Sequence, residues 1–304
     1  LGMYQFITND YTQPFMGLPL AKIDQVFASS TTPRLAGPLH DPNMWGQVLA
    51  AVVPLVIFRI IHERRLIMKA VSTVILGILL FALLETYSRG AYLALAVAVI
   101  LIVFVFEKSI NKTVSFAILG LIVLSLPFLP ATYTARFNSL TSLSANNGIY
   151  QDVSFRGRAS EILTGLSMFV SNPFLGVGAG NFPNNYQHYA QAIGIELRSE
   201  QRDAHSLYVQ VLAEEGIVGA IPFFGILILL LDRLTKTRRL IEDSRLQHDW
   251  LPWVSSIQIS LIAYLTAAFF LHGAYIRYFW ILAALALVAI QLTDAMLKER
   301  DHSF

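Results

Sequence analysis

Three segments decide how this chain folds: Phe155-Arg-Gly-Arg158, Asn172-Pro-Phe-Leu-Gly-Val-Gly-Ala-Gly-Asn-Phe182 and Ala204-His-Ser-Leu-Tyr208. They belong to one long polar stretch, from Arg156 to Gly216, in an otherwise apolar sequence. Apolar runs flank this stretch on both sides. We interpret those runs as a scaffold and the polar stretch as the functional part of the chain.

The composition is typical of an integral membrane protein. Of the 304 residues, 55% are hydrophobic and 14% are charged, whereas a soluble domain carries about 25% charged residues. The net charge of +2 is too small to indicate a nucleic-acid partner. The chain has no cysteine, so disulfides and thiolate chemistry are excluded.

Seven apolar runs predict an all-α, polytopic helical bundle in the lipid bilayer, with residues 1–304 as a single membrane domain. A helix needs about 17–25 residues to cross about 30 Å of hydrocarbon. The fifth run carries Glu214, Glu215 and Gly216 in its first half, and Pro222 can kink it. Carboxylates are costly inside a membrane, so we expect its first two turns to lie in a water-accessible cavity. The predicted spans are 44–61, 69–84, 91–106, 114–129, 206–231, 253–271 and 275–297.

The lysines and arginines predict the orientation. Short loops on one side hold thirteen of them, and the other side holds four once the long loop is set aside, because long loops orient a protein weakly. The richer side is therefore cytoplasmic, and the large loop 130–205, Arg89 and the N-terminal segment 1–43 lie outside. The thirteen are Arg59, Arg64, Arg65, Lys69, Lys108, Lys112, Arg233, Lys236, Arg238, Arg239, Arg245, Lys298 and Arg300, and the four are Lys22, Arg34, Arg89 and Arg277.

Residues 1–43 contain five prolines that break any long helix. We therefore expect a loop there, with one short surface helix near residues 20–28. No basic region precedes an apolar core, so no signal peptide is predicted. The chain begins on the outer side with no element to translocate it, and we expect a fragment that lacks N-terminal spans.

The long loop contains a predicted amphipathic helix that ends at Asn172-Pro173. We expect this helix to lie on the membrane surface or to cap the bundle. Gly176, Gly178 and Gly180 then predict turns, because no strand–helix–strand context supports a dinucleotide-binding loop. Apolar residues at helical spacing alternate with polar ones in the helix: Ala159, Ile162, Leu163, Leu166, Phe169 and Val170, with Glu161, Thr164 and Ser167 between them.

Arginines at two places are candidate anion ligands. Arg89 lies between two spans with almost no loop. Its side chain either snorkels to the membrane interface or forms an anion site. Arg156 and Arg158 are expected to precede the amphipathic helix. They either contact solvent or lipid phosphate, or form a dedicated phosphate site. A guanidinium suits phosphate because it is planar, has five N–H donors and keeps its charge. The helix start after Arg158 adds free N–H groups.

His205 lies just before the fifth span. It is either an ordinary polar residue near a helix N-terminus or a general base, because the unperturbed pKa of histidine is about 6.5. Asp203-Ala-His-Ser206 is not a Ser-His-Asp triad, because sequence neighbours rarely point at one another. The outer loop has no HExxH motif, clustered histidines or paired acidic residues. No metal and no cofactor are therefore predicted.

Four stretches follow one another along the chain: Arg34-Leu-Ala-Gly-Pro-Leu-His-Asp-Pro-Asn43, Ser88-Arg-Gly-Ala91, Arg158 with Pro173 and Gly176-Val-Gly-Ala-Gly-Asn-Phe182, and His205-Ser-Leu-Tyr-Val-Gln-Val-Leu-Ala-Glu-Glu-Gly216. In this order they resemble the O-antigen ligase and polymerase superfamily of bacterial membrane proteins. Two features depart from the family pattern: Ser206 stands where Asn is usual, and the upstream spans are absent.

The resemblance implies a GT-C-like α-helical fold and a glycosyltransferase at the periplasmic face of the bacterial cytoplasmic (inner) membrane. Its donor is a glycan on a polyprenyl diphosphate, and the reaction is expected to be inverting and metal-independent. The favoured acceptor is lipid A–core; the alternatives are O-antigen or capsule repeats and a protein hydroxyl. A small-anion transporter would show two repeated halves with broken helices, and we find no internal repeat.

The resemblance also assigns roles to residues of this chain. Arg89 and Arg158 bind the diphosphate, with Arg156 as a helper, and His205 is the catalytic histidine. Supporting roles are expected for Tyr208, Glu214 and Glu215, and either of the two glutamates is expected to orient His205.

Overall fold

The computed structural model describes residues 2–8, 16, 20–27, 30–106, 153–193, 201–243, 250–273 and 276–301. In chain order the elements are α1 (Gly2–Thr8), β1 (Leu20–Phe27), β2 (Ser30–Gly37), α2 (Pro42–His62), α3 (Leu66–Leu84), α4 (Arg89–Leu101, continued by a π turn Ile102–Phe106), α5 (Val153–Ser171), α6 (Phe182–Ile193), α7 (Leu207–Asp243), α8 (Leu251–Ala267, continued by a 3-10 turn Ala268–Phe270) and α9 (Arg277–Asp301).

The chain divides into two compact units, which we describe separately. The first unit consists of Leu1–Phe106, Leu227–Ala267 and Tyr275–Phe304. The second consists of Glu107–Ile226 and Ala268–Ala274. Helix α7 therefore contributes its first part to the second unit and its second part to the first.

The predicted all-α, polytopic membrane fold is confirmed. Within the described residues, five helices are long and apolar enough to cross a membrane: Pro42–His62, Leu66–Leu84, Leu207–Asp243, Leu251–Phe270 and Arg277–Glu299. The third predicted span corresponds to the shorter apolar helix Arg89–Val105. The fourth, at 114–129, lies outside the described residues.

Helix α8 is the central helix of the first unit. It packs against α2, α4 and α9, and most of its residues are buried. Alanines occur repeatedly where α2, α4 and α8 meet, including Ala50, Ala91, Ala94 and Ala263. Such small side chains let helix backbones approach closely in a membrane, where dispersion contacts hold helices together. In contrast, α3 and α9 expose most of their apolar surface, as expected for helices that face lipid.

The N-terminal segment contradicts our prediction of a short helix near residues 20–28. Strand β1 occupies Leu20–Phe27 and pairs with β2 in an antiparallel hairpin whose register places Ile23 opposite Pro33. The segment carries Ile23, Val26, Thr31 and Thr32, and β-branched residues favour strands. A proline is tolerated because a two-stranded ladder has only edges.

Helix α5 confirms the predicted helix before Asn172, but it begins at Val153, so Arg156 and Arg158 lie within it and not before its start as we expected. The polar residues Glu161 and Thr164 are buried, whereas Leu163, Leu166 and Val170 are exposed. The apolar stripe is therefore available to lipid, which agrees with a helix at the membrane surface. Helix α6, which follows the glycines, was not predicted; it buries Phe182, Tyr186 and Ala190 against Met168 of α5.

Helix α7 breaks at Gly216, six residues before the kink that we predicted at Pro222. Gly216 has φ 61° and ψ −161°, a conformation that is essentially restricted to glycine. The break releases backbone groups from the helical ladder, and the loop after α5 pairs with them. Ile217 N–H donates to Pro173 O at 2.8 Å, Val177 N–H to Ala213 O at 2.9 Å, and Gly178 N–H to Glu214 O at 2.8 Å.

Replacing Gly216 with Ala should strongly destabilise the second unit. A Cβ at this position would lie 2.4 Å from Phe174 O, in a backbone conformation that alanine avoids. Gly180 is the matched control, because its φ is also positive but a Cβ there meets nothing within 4 Å. Gly180→Ala should therefore cost only about 1–2 kcal/mol of backbone strain.

Thermal unfolding of the detergent-solubilised variants measures this difference. We expect Gly216→Ala to unfold at a clearly lower temperature than Gly180→Ala. Equal unfolding temperatures would show that the close packing at the break does not matter for stability.

Candidate functional site

Arg89 lies in the first unit, at the first residue of α4. Ser88 caps this helix, because its Oγ accepts a hydrogen bond from Ala91 N–H at 3.4 Å. Tyr87 has a positive φ of 51° and turns the chain between α3 and α4. The guanidinium therefore starts from a helix N-terminus, where backbone N–H groups and the helix dipole favour an anion.

Arg34 fixes the turn that carries Arg89. Its Nε donates to Thr86 O and its Nη2 to Asn43 Oδ1, both at 2.9 Å. The backbone N–H of Leu35 adds a hydrogen bond to Glu85 O at 2.9 Å. Arg34 is only 6% exposed, so its charge serves the structure of this turn.

The second unit contains Arg158 and His205. His205 precedes α7 with a φ of 43°, and its Nδ1 lies 3.0 Å from Glu161 Oε2 and 3.1 Å from the backbone oxygen of Asp203. A backbone carbonyl oxygen and an ionised carboxylate accept hydrogen bonds and cannot donate them. Nδ1 therefore carries a proton, and in the neutral imidazole Nε2 has the lone pair that can take a proton from a substrate.

Glu161 is the carboxylate that orients His205, which corrects our expectation that Glu214 or Glu215 does so. Its side chain is 3% exposed and also lies 3.7 Å from Nη1 of Arg202. We missed Glu161 because a charged residue on an amphipathic helix normally faces water. One signal was present: Arg158 and Glu161 are three residues apart and share a helix face.

Opposing influences act on the pKa of His205. Burial is the largest and lowers the pKa, but the hydrogen bond and the charge of Glu161, together with the Asp203 carbonyl, raise it. The positive charge of Arg158 also lowers the pKa. The net effect is a pKa above the ordinary value for histidine.

A second histidine, His272, lies beside the first. The two rings meet edge to face with centroids 5.6 Å apart, and His272 Nε2 is 3.4 Å from Asp203 Oδ2. The turn that carries His272 is tied to α7, because Gly273 N–H donates to Gln210 Oε1 at 3.0 Å. Sequence reasoning did not find His272, which lies far along the chain from His205.

Glu214 holds the loop and α6 in place. It is fully buried, its Oε1 accepts from Phe182 N–H at 2.9 Å, and its Oε2 accepts from Gln210 Nε2 at 3.3 Å. Glu215 lies against Gly219, where a Cβ would come 2.5 Å from its Oε2. Tyr208 packs between two phenylalanine rings, with centroids 4.3 Å from Phe269 and 6.0 Å from Phe224.

The site that the structure describes in the second unit combines Arg158, Arg202, Glu161, His205 and His272. The backbone of Arg156 lies in α5, but its side chain is outside the described residues. A buried carboxylate paired with histidine, with arginines close by, can remove a proton and stabilise an anion. Within the described residues, no group of three metal-ligating side chains is placed to hold a metal ion.

Residues 74–224 match the family model described as O-Antigen ligase. This match covers about half of the chain and supports the O-antigen ligase superfamily. No curated protein sequence matches the chain. The matched range contains Arg89, Arg158, Glu161, His205 and the break at Gly216.

The match to the O-antigen ligase family supports glycosyl transfer of the ligase or polymerase type in surface polysaccharide biosynthesis. The family implies a polyprenyl-linked glycan donor and a glycan acceptor. The apolar helices agree with a multi-pass membrane protein. His272 lies outside the matched range, so its contact with His205 is an observation of this structure alone.

Replacing Glu214 with Ala should destabilise the second unit by about 1–3 kcal/mol, because it leaves the buried N–H of Phe182 without an acceptor. Glu214→Gln is the matched control, since its amide oxygen can still accept from Phe182. We expect a smaller loss for Glu214→Gln in thermal unfolding of the solubilised protein. Equal losses in the two variants would show that the acceptor at this position is not what stabilises the loop.

Proposed function

We propose that this protein transfers a glycan from a polyprenyl-diphosphate carrier to an acceptor hydroxyl, and that His205 is the general base. The observation that carries the proposal is the contact between His205 Nδ1 and the buried carboxylate of Glu161. This contact selects the tautomer whose Nε2 accepts a proton. The family match supports the reaction class.

The proposed step is an in-line displacement at the anomeric carbon of the donor glycan. The acceptor oxygen forms the new bond to that carbon while its proton moves to Nε2 of His205. The bond between the carbon and the diphosphate oxygen breaks, and the diphosphate leaves with the electron pair. Attack from the side opposite the leaving group inverts the anomeric centre. Glu161 stabilises the imidazolium that forms, as the carboxylate of a hydrolase triad does.

Arginines bind the diphosphate in this proposal. The charge on the leaving oxygens grows as the bond breaks, so part of the stabilisation appears only in the transition state. Arg158 acts near His205 in the second unit, with Arg156 as a helper, and the family resemblance alone assigns Arg89 to diphosphate binding. Charge-assisted hydrogen bonds of this kind contribute roughly 1.5–3 kcal/mol each. A set of guanidinium groups can therefore hold the diphosphate without a metal ion.

We favour lipid A–core as the acceptor, and only the resemblance to the O-antigen ligase family supports this choice. O-antigen or capsule repeat units and protein hydroxyls are the alternatives, and all three present the same reacting group. The excess of lysine and arginine on the opposite loops favours a site on the periplasmic face of the inner membrane.

Replacing His205 with Ala should lower the transfer rate by about 10²–10⁴-fold, the usual contribution of a general base. The assay follows glycan transfer by the purified, membrane-reconstituted protein from a polyprenyl-diphosphate donor to an acceptor. His188→Ala is the matched control, because His188 is an exposed histidine of the same unit. A folded His205→Ala protein with wild-type turnover would contradict the mechanism.

Replacing Glu161 with Gln should shift the pH dependence of kcat/KM. The base works in its neutral form, so the rate rises as the pH passes the pKa of His205. Glu161 raises that pKa, and its removal should therefore move the acidic limb to lower pH. The maximal rate should also fall, because the imidazolium loses its carboxylate partner.

Asp232→Asn controls for the loss of one negative charge, since Asp232 pairs with Lys236 on α7. This variant should keep the wild-type acidic limb. An unchanged limb in Glu161→Gln would show that Glu161 does not set the titration of the base.

A further inference from the structure

A cavity of about 380 Å³ lies in the first unit, where α2 ends and α3 begins. One part of its wall comes from this turn and the other from the start of α8. The lining includes Arg59, His62, Arg64 and Arg65 from the turn, with Pro252 and Trp253 from α8. None of these residues belongs to the site around His205.

Positive charge dominates the mouth of the cavity. Three arginines line it, against the single carboxylate of Glu63. Glu63 accepts a hydrogen bond from the backbone N–H of Arg65 at 3.0 Å and forms an ion pair with Arg59. The Arg65 N–H is the main cause of a lowered pKa of Glu63, so this carboxylate stays charged and engaged near neutral pH. The arginines nevertheless outnumber it.

The start of α3 adds to the positive potential at the mouth. Arg65 occupies the N-cap position, and no side chain caps the helix. The first intrahelical hydrogen bond runs from Lys69 N–H to Arg65 O at 2.9 Å. The N–H groups of residues 66–68 precede that bond and therefore have no helical acceptor. Uncapped N–H groups beside arginines form an arrangement that favours phosphate.

The rest of the wall is apolar. Leu55 and Phe58 contribute from α2, and the ring of His62 stacks on that of Phe58 with centroids 5.9 Å apart. Trp253 is 44% exposed, and partly exposed tryptophans are typical of the membrane–water interface. The cavity thus joins a cationic mouth to an apolar wall, on the side that the lysines and arginines predict to be cytoplasmic.

We propose that this cavity binds a phosphate group, presented by an anionic phospholipid whose acyl chains lie along Leu55, Pro252 and Trp253. Basic pockets between membrane helices suit such headgroups. A soluble phosphate ester shares the headgroup chemistry but has no chain to occupy the apolar wall. The proposal is independent of the glycan-transfer site.

The test measures thermal unfolding of the detergent-solubilised full chain with increasing dioctanoyl phosphatidylglycerol. Dioctanoyl phosphatidylcholine tests the need for net negative charge, and glycerol phosphate tests the need for acyl chains. We expect phosphatidylglycerol to raise the unfolding temperature of the wild type and phosphatidylcholine to leave it unchanged. Equal protection by glycerol phosphate would support a phosphate site with a soluble ligand as its source.

The decisive variant is the double substitution Arg64→Gln, Arg65→Gln. It should need on the order of tenfold more phosphatidylglycerol for the same protection. Arg233→Gln, Arg239→Gln is the matched control, because it removes two exposed arginines of α7 that do not line the cavity. This control should behave as the wild type does. Wild-type protection of the cavity variant, or equal weakening of both variants, would overturn the proposal.

If the double arginine variant does not fold, tryptophan fluorescence gives an independent measurement of lipid binding at the cavity. Brominated phosphatidylglycerol should quench the wild type more than Trp253→Phe, and brominated phosphatidylcholine should show no such difference. Equal quenching of Trp253 by both lipids would overturn the assignment of a charged headgroup to this cavity.

Discussion

The break in α7 at Gly216 is the constraint on which the second unit depends. Backbone N–H and C=O groups that leave a helix need other partners, and near a membrane water cannot always supply them. Here the loop after α5 supplies them, through hydrogen bonds from Ile217 to Pro173 and from Gly178 to Glu214. The same bonds tie the end of α5 to α7. Glu161 on α5 is thereby held against His205 at the start of α7.

Length and composition were sufficient to predict most of the membrane fold. Blocks of apolar residues identified the described spans, because a bilayer requires helices of a minimum length whatever their partners are. The hairpin β1–β2 was missed, since a short mixed segment with prolines carries no clear periodicity. The break in α7 was placed at Pro222 and lies at Gly216, because a glycine becomes a break only when another backbone approaches it.

The site illustrates a different limit. His205 and Arg158 were predicted because each matches a motif, but their partners Glu161 and His272 were not. Glu161 is buried on a helix whose Leu163 and Leu166 are exposed, so the usual rule that charged residues face water does not hold for it. The burial of a charge is acceptable only with a partner, and here that partner lies on another element. Pairings between distant segments are properties of the tertiary structure and leave little trace in one sequence.

Arginines lie in three different surroundings in this protein, and we infer a different role from each. Arg34 is buried and makes hydrogen bonds to Thr86 O and Asn43 Oδ1, so its charge organises a turn. Arg158 lies close enough to His205 to oppose the effect of Glu161 on its pKa, which suits a group that binds an anion near the base. Arg64 and Arg65 line a cavity at a helix start, and the anion that we propose there would interact with both side chains and backbone. The motif around a guanidinium therefore says less about its role than do the donors, acceptors and solvent that surround it.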